Sequence, residues 1–230
     1  GFAENGAIIH YRVTPESSKQ IDDSNLYLLD SGGQYLEGTT DTTRTIHLGT
    51  PTAEQIKHYT LVLKGHLALA RQQFTHGTTG EHLDVLARSA IWNEGLNYRH
   101  GTGHGVGSFL CVHEGPQKIS QASTGVGLLP GMILSNEPGL YIDGKHGIRI
   151  ENLCLIKNAE NKEAINSDFG PFYVFEDLTL IPYCRKLIDV GALSEVEKNQ
   201  IQVYNDRIRN EVRPRLDKEE QVWLDAALVF

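Results

Sequence analysis

The sequence contains little of what marks several protein classes. Its 230 residues include one methionine, three cysteines and two tryptophans, and no apolar run is long enough to cross a bilayer. Cys111, Cys154 and Cys184 are scattered without metal-type pairing, so we expect a reducing, cytoplasmic location and no disulfide scaffold. The net charge of −8 argues against nucleic acid and anionic membranes as partners.

The beginning of the chain also lacks an initiator methionine. It starts at Gly1, and its single methionine is Met132. We therefore expect a piece of a longer or processed protein. Its apolar content of 40% is ordinary for a globular chain, and its length allows a sizeable core.

Hydrophobic periodicity predicts strands before and after a helical region. The predicted strands cover residues 7–13 (with His10), 25–30 (before a turn at 31–33), 42–49, 132–142, 147–156 and 175–183. A first helix begins at Thr50-Pro51 or at Thr52 and reaches Phe74, and a capping box of Thr78 with Glu81 predicts the start of a second, ended by Gly95. Ser194 with Glu197 predicts a third, and a last short helix carries Val222, Trp223, Ala226 and Ala227.

The stretch from residue 100 to 116, HGTGHGVGSFLCVHEGP, combines three histidines with five glycines. Alternating glycines oppose a helix and let another chain approach the backbone closely. Histidine in such a place is a metal ligand or a proton carrier when it is not merely packed. The stretch is therefore the first candidate for the functional site, and the rest of the chain has to supply its partners.

Four isolated carboxylates are the candidate partners: Asp30, Asp41, Glu137 and Glu151. A buried acid is costly unless it is paired, hydrogen-bonded or bound to metal. Taken singly, Asp41 and Glu137 fit a turn cap or a solvent-facing strand residue at least as well, whereas apolar flanks favour a buried role for Asp30 and Glu151. Together with one imidazole, the four suit two Mn, Co, Fe or Zn ions. Two such ions about 3.5–4 Å apart can share a bridging hydroxide as nucleophile.

The order of these motifs resembles a known family. Asp30 and Asp41, eleven residues apart, are followed by HGTGHGVG, VHEGP, SNEPG and GIRIEN, which is similar to the M24 metallopeptidases and most similar to their Xaa-Pro aminopeptidases. The resemblance implies an α+β pita-bread fold: a curved, mostly antiparallel sheet with helices on its outer face. It also implies that the first helices of the N-terminal half are absent, which would leave one apolar face of the sheet uncovered.

The resemblance implies a role for each motif residue. Asp30 would bind one metal ion, His104 and Glu137 the other, and Asp41 and Glu151 would bridge both. Glu137 would also accept and donate the proton of the bridging hydroxide. The remaining predicted site residues would act on the substrate or support the ligands: His113 on the reacting carbonyl, His10 and His100 in the proline pocket, and Arg149 behind the site.

The function implied is removal of the N-terminal residue from peptides whose second residue is proline. Two divalent ions are expected, manganese before zinc or cobalt, in a homodimer. The catalytic domain would cover residues 1–190 and a helical extension 191–230. Alone, the piece would bind metal yet be weakly active or inactive. A prolidase, a methionine aminopeptidase or a metal-free binding module of the same fold remain alternatives.

Overall fold

A computed structural model describes residues 1–108 and 111–230, and these residues form antiparallel strands and helices. The strands are β1 (Leu26–Gln34), β2 (Thr39–His47), β3 (Phe74–Thr75), β4 (Gly103–His104), β5 (Lys118–Ile119), β6 (Ile133–Asn136), β7 (Gly139–Ile142), β8 (His146–Arg149), β9 (Asn152–Asn158) and β10 (Phe172–Asp177). The helices are α1 (Ala53–Ala70), α2 (Gly80–Trp92), α3 (Lys162–Ile165), α4 (Glu195–Glu211) and α5 (Lys218–Ala227), with 3-10 turns at Ala3–Ala7, Arg185–Leu187, Val190–Ala192 and Arg213–Arg215.

The strands form one four-stranded sheet and three two-stranded ribbons. The sheet has the order β3-β10-β9-β6, and the ribbons are β1-β2, β4-β5 and β7-β8. Single bridges connect them: Thr43 pairs with Glu151, which ties β2 to the start of β9, and Gly105 pairs with Leu134 of β6. The chain thereby brings residues from distant ribbons to the same place.

The predicted strand at residues 7–13 is wrong. A 3-10 turn covers Ala3–Ala7, and His10 lies in a turn that follows it. Backbone N–H groups bond locally there, from Ile8 to the Asn5 carbonyl and from Tyr11 to the Ile8 carbonyl. The apolar, β-branched composition is typical of a strand, but these local bonds take the place of a ladder.

The other predicted strands have different limits. The strand predicted at 42–49 is β2 (Thr39–His47), and the one predicted at 132–142 is divided into β6 and β7. β1 continues to Gln34 through the predicted turn at 31–33, and the chain reverses at 35–38 instead. The predicted strand 147–156 is divided into β8 and β9, because the backbone N–H of Glu151 turns to the carbonyl of Thr43. β10 ends at Asp177 rather than 183, and the carbonyls of Ile181 and Pro182 accept hydrogen bonds from Arg44.

The helix caps agree with the sequence in two of three cases. Thr52, one of the two predicted starts, caps α1, which ends at Ala70 rather than at Phe74. Ser194 forms the expected capping box with Glu197 on α4. The box of α2 is one residue later than predicted: the backbone N–H of Thr79 donates to Nδ1 of His82. Gly95, with φ of +70°, follows α2 as expected.

Two clusters of buried hydrophobic residues connect the helices with the strands. One joins α1, the β7-β8 ribbon and the C-terminal helices α4 and α5. The other lies between α1, α2 and the four-stranded sheet. The C-terminal helices therefore share a core with α1. Among the described helices, none is both long and apolar enough to cross a membrane.

A close crossing of α1 and α2 depends on Gly65. A Cβ atom there would collide with the backbone carbonyl of Ala87 on α2. We expect Gly65→Ala to lower the free energy of unfolding by about 1–3 kcal/mol, the usual cost of overpacking, although alanine favours helix. Urea unfolding measures this. Gly38→Ala, where a Cβ meets nothing within 4 Å, is the matched control, and an unchanged Gly65→Ala variant would contradict the crossing.

A cavity of about 730 Å³ lies beside the N-terminal turn. Its lining includes the exposed apolar side chains of Ile8, Val13 and Leu29. That an additional segment or a second chain covers this face stays a prediction.

Candidate metal centre

The β1-β2 ribbon places two carboxylates on one face. Asp30 lies opposite Thr43, and Asp41 lies opposite Gly32. Because Asp30 and Gly32 are two residues apart, the side chains of Asp30 and Asp41 point to the same side of the ribbon. The spacing of eleven residues thus has a simple origin in strand register.

His104, at the end of β4, directs one nitrogen at this face. Its Nε2 lies 3.4 Å from Oδ2 of Asp41 and 3.4 Å from Oε1 of Glu137. Its Nδ1 lies 2.9 Å from the Gly105 carbonyl, which can only accept, so Nδ1 carries a proton there. Burial by itself would lower the pKa of His104, but the Asp41 carboxylate, the Gly105 carbonyl and Glu137 together raise it. In the neutral ring Nε2 is then free to act as a ligand.

Glu137 follows directly after β6. Its Oε1 accepts a hydrogen bond of 3.0 Å from the Ser135 hydroxyl, and its backbone N–H donates to the Thr102 carbonyl at 2.8 Å. Burial raises the pKa of Glu137 to about 7, against the opposing charges of His104 and Arg149. A carboxylate with such a pKa can exchange protons near neutral pH.

Glu151 occupies the break between β8 and β9 and is 2% exposed. The Thr43 hydroxyl donates to its Oε2 at 2.6 Å. Burial, followed by the charges of Glu137 and Asp41, raises the pKa of Glu151 well above its ordinary value. Without a cation, the structure therefore disfavours charge on this carboxylate.

In the described part of the chain, aspartate, glutamate and histidine side chains form three overlapping groups. Within each group, the ligand atoms lie within 4.8 Å of one another. The groups are Asp41, His104 and His113; His104, Glu137 and Glu151; and Asp30, Asp41 and Glu151. They face a cavity of about 400 Å³. Four carboxylates with an imidazole are a donor set that hard or borderline divalent ions fit, and the buried like charges need such a counter-charge. The residues present thus fit a metal centre with two ions.

A model of metallopeptidase family M24 matches residues 1–158, and a model of the C-terminal region of peptidase M24 matches residues 171–228. The chain belongs to the M24 metallopeptidases. The predicted family is thereby confirmed.

Among curated relatives of this M24 chain, "Probable Xaa-Pro aminopeptidase P" of Fusarium vanettenii is 53% identical over 206 residues, or 89% of this chain and 33% of that protein. The protein of the same name from Tuber melanosporum is 49% identical over 217 residues, or 94% of this chain and 35% of that protein. The chain therefore spans about a third of the length of these relatives.

Solved structures show the same fold. An X-prolyl aminopeptidase from Caenorhabditis elegans, described as a cytosolic enzyme with a di-nuclear active site, has a TM-score of 0.94 and 40% identity, covering 100% of this chain and 37% of that one. A prolidase from Pyrococcus furiosus has a TM-score of 0.60 and 32% identity, covering 67% and 44%. The α+β pita-bread fold expected from the sequence is confirmed.

The remaining predicted site residues differ from one another in where they lie relative to the two cavities. Arg149 is 2% exposed, and its Nη2 donates to Asp30 at 2.6 Å. His10 and His113 are exposed and line both cavities, which also share Asp30 and Arg149. The two cavities therefore meet beside Asp30.

His100 is held away from both cavity linings. Its Nδ1 contacts the Gly101 carbonyl at 2.7 Å, and its Nε2 lies 2.9 Å from the hydroxyl of Tyr141. Burial lowers the pKa of His100 to about 4, so the ring is neutral at physiological pH. Its place in a proline pocket stays a prediction.

Sequence reasoning missed three supporting hydroxyls: Thr43, Ser135 and Tyr141. Tyr141 accepts from Arg149 at 3.1 Å while it contacts His100. Thr43 could have been found from the sequence, because residues 41, 43 and 45 alternate along β2. Thr43 therefore lies on the same face as Asp41. Ser135 and Tyr141 had no comparable signal. Phe109 and Leu110 of the glycine-rich stretch lie outside the described residues.

Proposed function

We propose that this chain carries the catalytic centre of a metal-dependent aminopeptidase that releases the N-terminal residue from peptides with proline in second position. The observation that carries the proposal is the meeting of all five ligand side chains at one cavity. The TM-score of 0.94 to an X-prolyl aminopeptidase, against 0.60 to a prolidase, favours this substrate class over Xaa-Pro dipeptides.

The proposed ligand assignment follows the family resemblance, and two of the three groups agree with it. Asp30 would hold one ion, His104 and Glu137 would hold the other, and Asp41 and Glu151 would hold both. Bound ions of this kind supply Lewis-acid activation of water and of the substrate carbonyl. The oxygen-rich donor set supports manganese, with zinc or cobalt as alternatives.

The chain's own groups then handle protons and orientation. Glu137 accepts the proton of the attacking water and passes it to the leaving proline nitrogen, a role that its pKa of about 7 supports. His113, whose ring centroid is 4.2 Å from that of His104, donates to the substrate carbonyl from the cavity wall. Arg149 holds Asp30, and His10, which lines the cavity, contacts the proline ring. The assignment of His100 to the proline pocket stays a prediction.

The organisation of the protein is part of the proposal. We assign residues 1–190 to the catalytic domain and 191–230 to a helical extension that packs on α1. Location in the cytosol is supported by the description of the Caenorhabditis elegans enzyme. A homodimer is proposed by family analogy alone.

Peptide hydrolysis in the presence of Mn²⁺ tests the proposal. It is measured on the 230-residue chain and on the protein as its cells produce it. We expect the protein as its cells produce it to cleave Xaa-Pro-Xaa tripeptides between the first two residues, and to cleave Xaa-Pro dipeptides and methionyl peptides much more slowly. The 230-residue chain alone is expected to be weakly active or inactive. Preference for dipeptides would indicate a prolidase, and preference for methionyl peptides a methionine aminopeptidase. A protein that binds no Mn²⁺ and hydrolyses none of these peptides would indicate a binding module.

A further inference from the structure

The hydroxyl of Thr43 lies between a buried cation and a buried carboxylate. Its Oγ1 is 2.6 Å from Oε2 of Glu151 and 3.1 Å from Nε of Arg149. Thr43 is 0% exposed, and Glu151 and Arg149 are each 2% exposed. The three side chains thus form one continuous chain of contacts at the back of the metal centre.

The direction of both hydrogen bonds follows from the donor inventory. The Nε–H of Arg149 can only donate, so the Thr43 oxygen accepts there. A metal-binding carboxylate is ionised and can only accept, so the single hydroxyl proton of Thr43 goes to Glu151. A hydroxyl meets both requirements and serine also carries one, whereas valine has no polar atom and cysteine is a weaker partner.

Arg149 connects this contact to a second ligand. The same guanidinium donates from Nη2 to Oδ2 of Asp30 at 2.6 Å. The Arg149 guanidinium, which its burial fixes in place, therefore holds Asp30 directly and holds Glu151 through Thr43. Burial also means that water does not readily replace a lost partner, so each unpaired group would carry its full desolvation penalty.

We propose that Thr43 is a positioning residue for the metal centre, which fixes the carboxylate of Glu151 in the orientation that both ions require. The inference rests on the proposed function, because it takes Glu151 to be a ligand shared by two ions. Glu151 belongs to two of the three ligand groups, so loss of the Thr43 hydroxyl weakens both binding events and not one.

Calorimetric titration with Mn²⁺ alone tests this on the parent protein and on Thr43→Val. Supporting hydrogen bonds to metal ligands typically account for about 10–100-fold in affinity, and we expect a loss in that range for both ions. Thr43→Ser keeps the hydroxyl and retains most of the affinity.

Thr45→Val is the matched control. Thr45 is on the same face of β2, is also 0% exposed, and bonds at 3.1 Å to the backbone of Arg149 instead of to a ligand. We expect Thr45→Val to lower the urea midpoint of the metal-free protein much as Thr43→Val does, and to leave Mn²⁺ affinity unchanged.

Parental affinity in Thr43→Val, or equal losses in the two valine variants, would overturn the inference. A loss of about 10–100-fold in Thr43→Ser would overturn it too, and this holds even if Thr43→Val does not fold. A parent protein that binds no Mn²⁺ would instead contradict the proposed function, and the inference with it.

Discussion

Replacing Glu137 by glutamine is expected to lower kcat/KM for an Xaa-Pro-Xaa tripeptide by a factor of about 10²–10⁴, the usual contribution of a general base. Glutamine has the same shape but cannot take a proton from water. The Ser135 hydroxyl and the Thr102 carbonyl hold the Glu137 segment, so the position of the side chain is preserved in the variant. Steady-state kinetics under Mn²⁺ saturation measures the effect.

Two controls separate proton transfer from other causes. Glu54→Gln makes the same chemical change at the exposed Glu54–Lys145 pair and is expected to leave kcat/KM unchanged. Metal analysis of Glu137→Gln then shows whether the ions are retained. A variant that binds both ions and keeps nearly full activity would show that Glu137 is not the base.

Asp84→Ala is expected to lower the free energy of unfolding by about 3–5 kcal/mol, the range for breaking a buried ion pair. Asp84 and Arg88 are 2% and 1% exposed, and Nε of Arg88 donates to Oδ2 of Asp84 at 2.6 Å. Removal of the carboxylate leaves a buried guanidinium whose other acceptors are carbonyl oxygens and Asn97. Urea unfolding of the metal-free protein gives the value.

The same pair bears on the metal centre. Arg88 donates to the carbonyl of His100 at 2.8 Å, and Asp84 accepts from the Thr102 hydroxyl at 2.6 Å. The Thr102 carbonyl in turn accepts from the N–H of Glu137. A double variant, Asp84→Ala with Arg88→Met, should recover much of the stability, because no unpaired charge remains. If Asp84→Ala lowered the free energy of unfolding only slightly, this result would contradict a role for the pair in holding residues 100–102 in place.

The local features of the chain could be predicted from the sequence. The capping box of Ser194 and Glu197 involves neighbours in sequence, and so does the period of β2 that places Asp41, Thr43 and Thr45 on one face. The candidate ligands could be named because each lies in its own short motif.

The two predictions that failed most clearly have different physical causes, one local and one between residues far apart in sequence. The segment around His10 has the composition of a strand, but its backbone bonds locally. The break between β8 and β9 arises because Glu151 turns to Thr43, 108 residues earlier. No periodicity in residues 147–156 contains that information, since the residues on both sides of the break are buried.

The central claim is that five side chains form one centre for two ions. Anomalous scattering from crystals grown with Mn²⁺ tests it most directly. We expect two ions, each in contact with Asp41 and Glu151, one also with Asp30 and the other also with His104 and Glu137. A single ion, or ions held by other residues while these five remain free, would contradict the account.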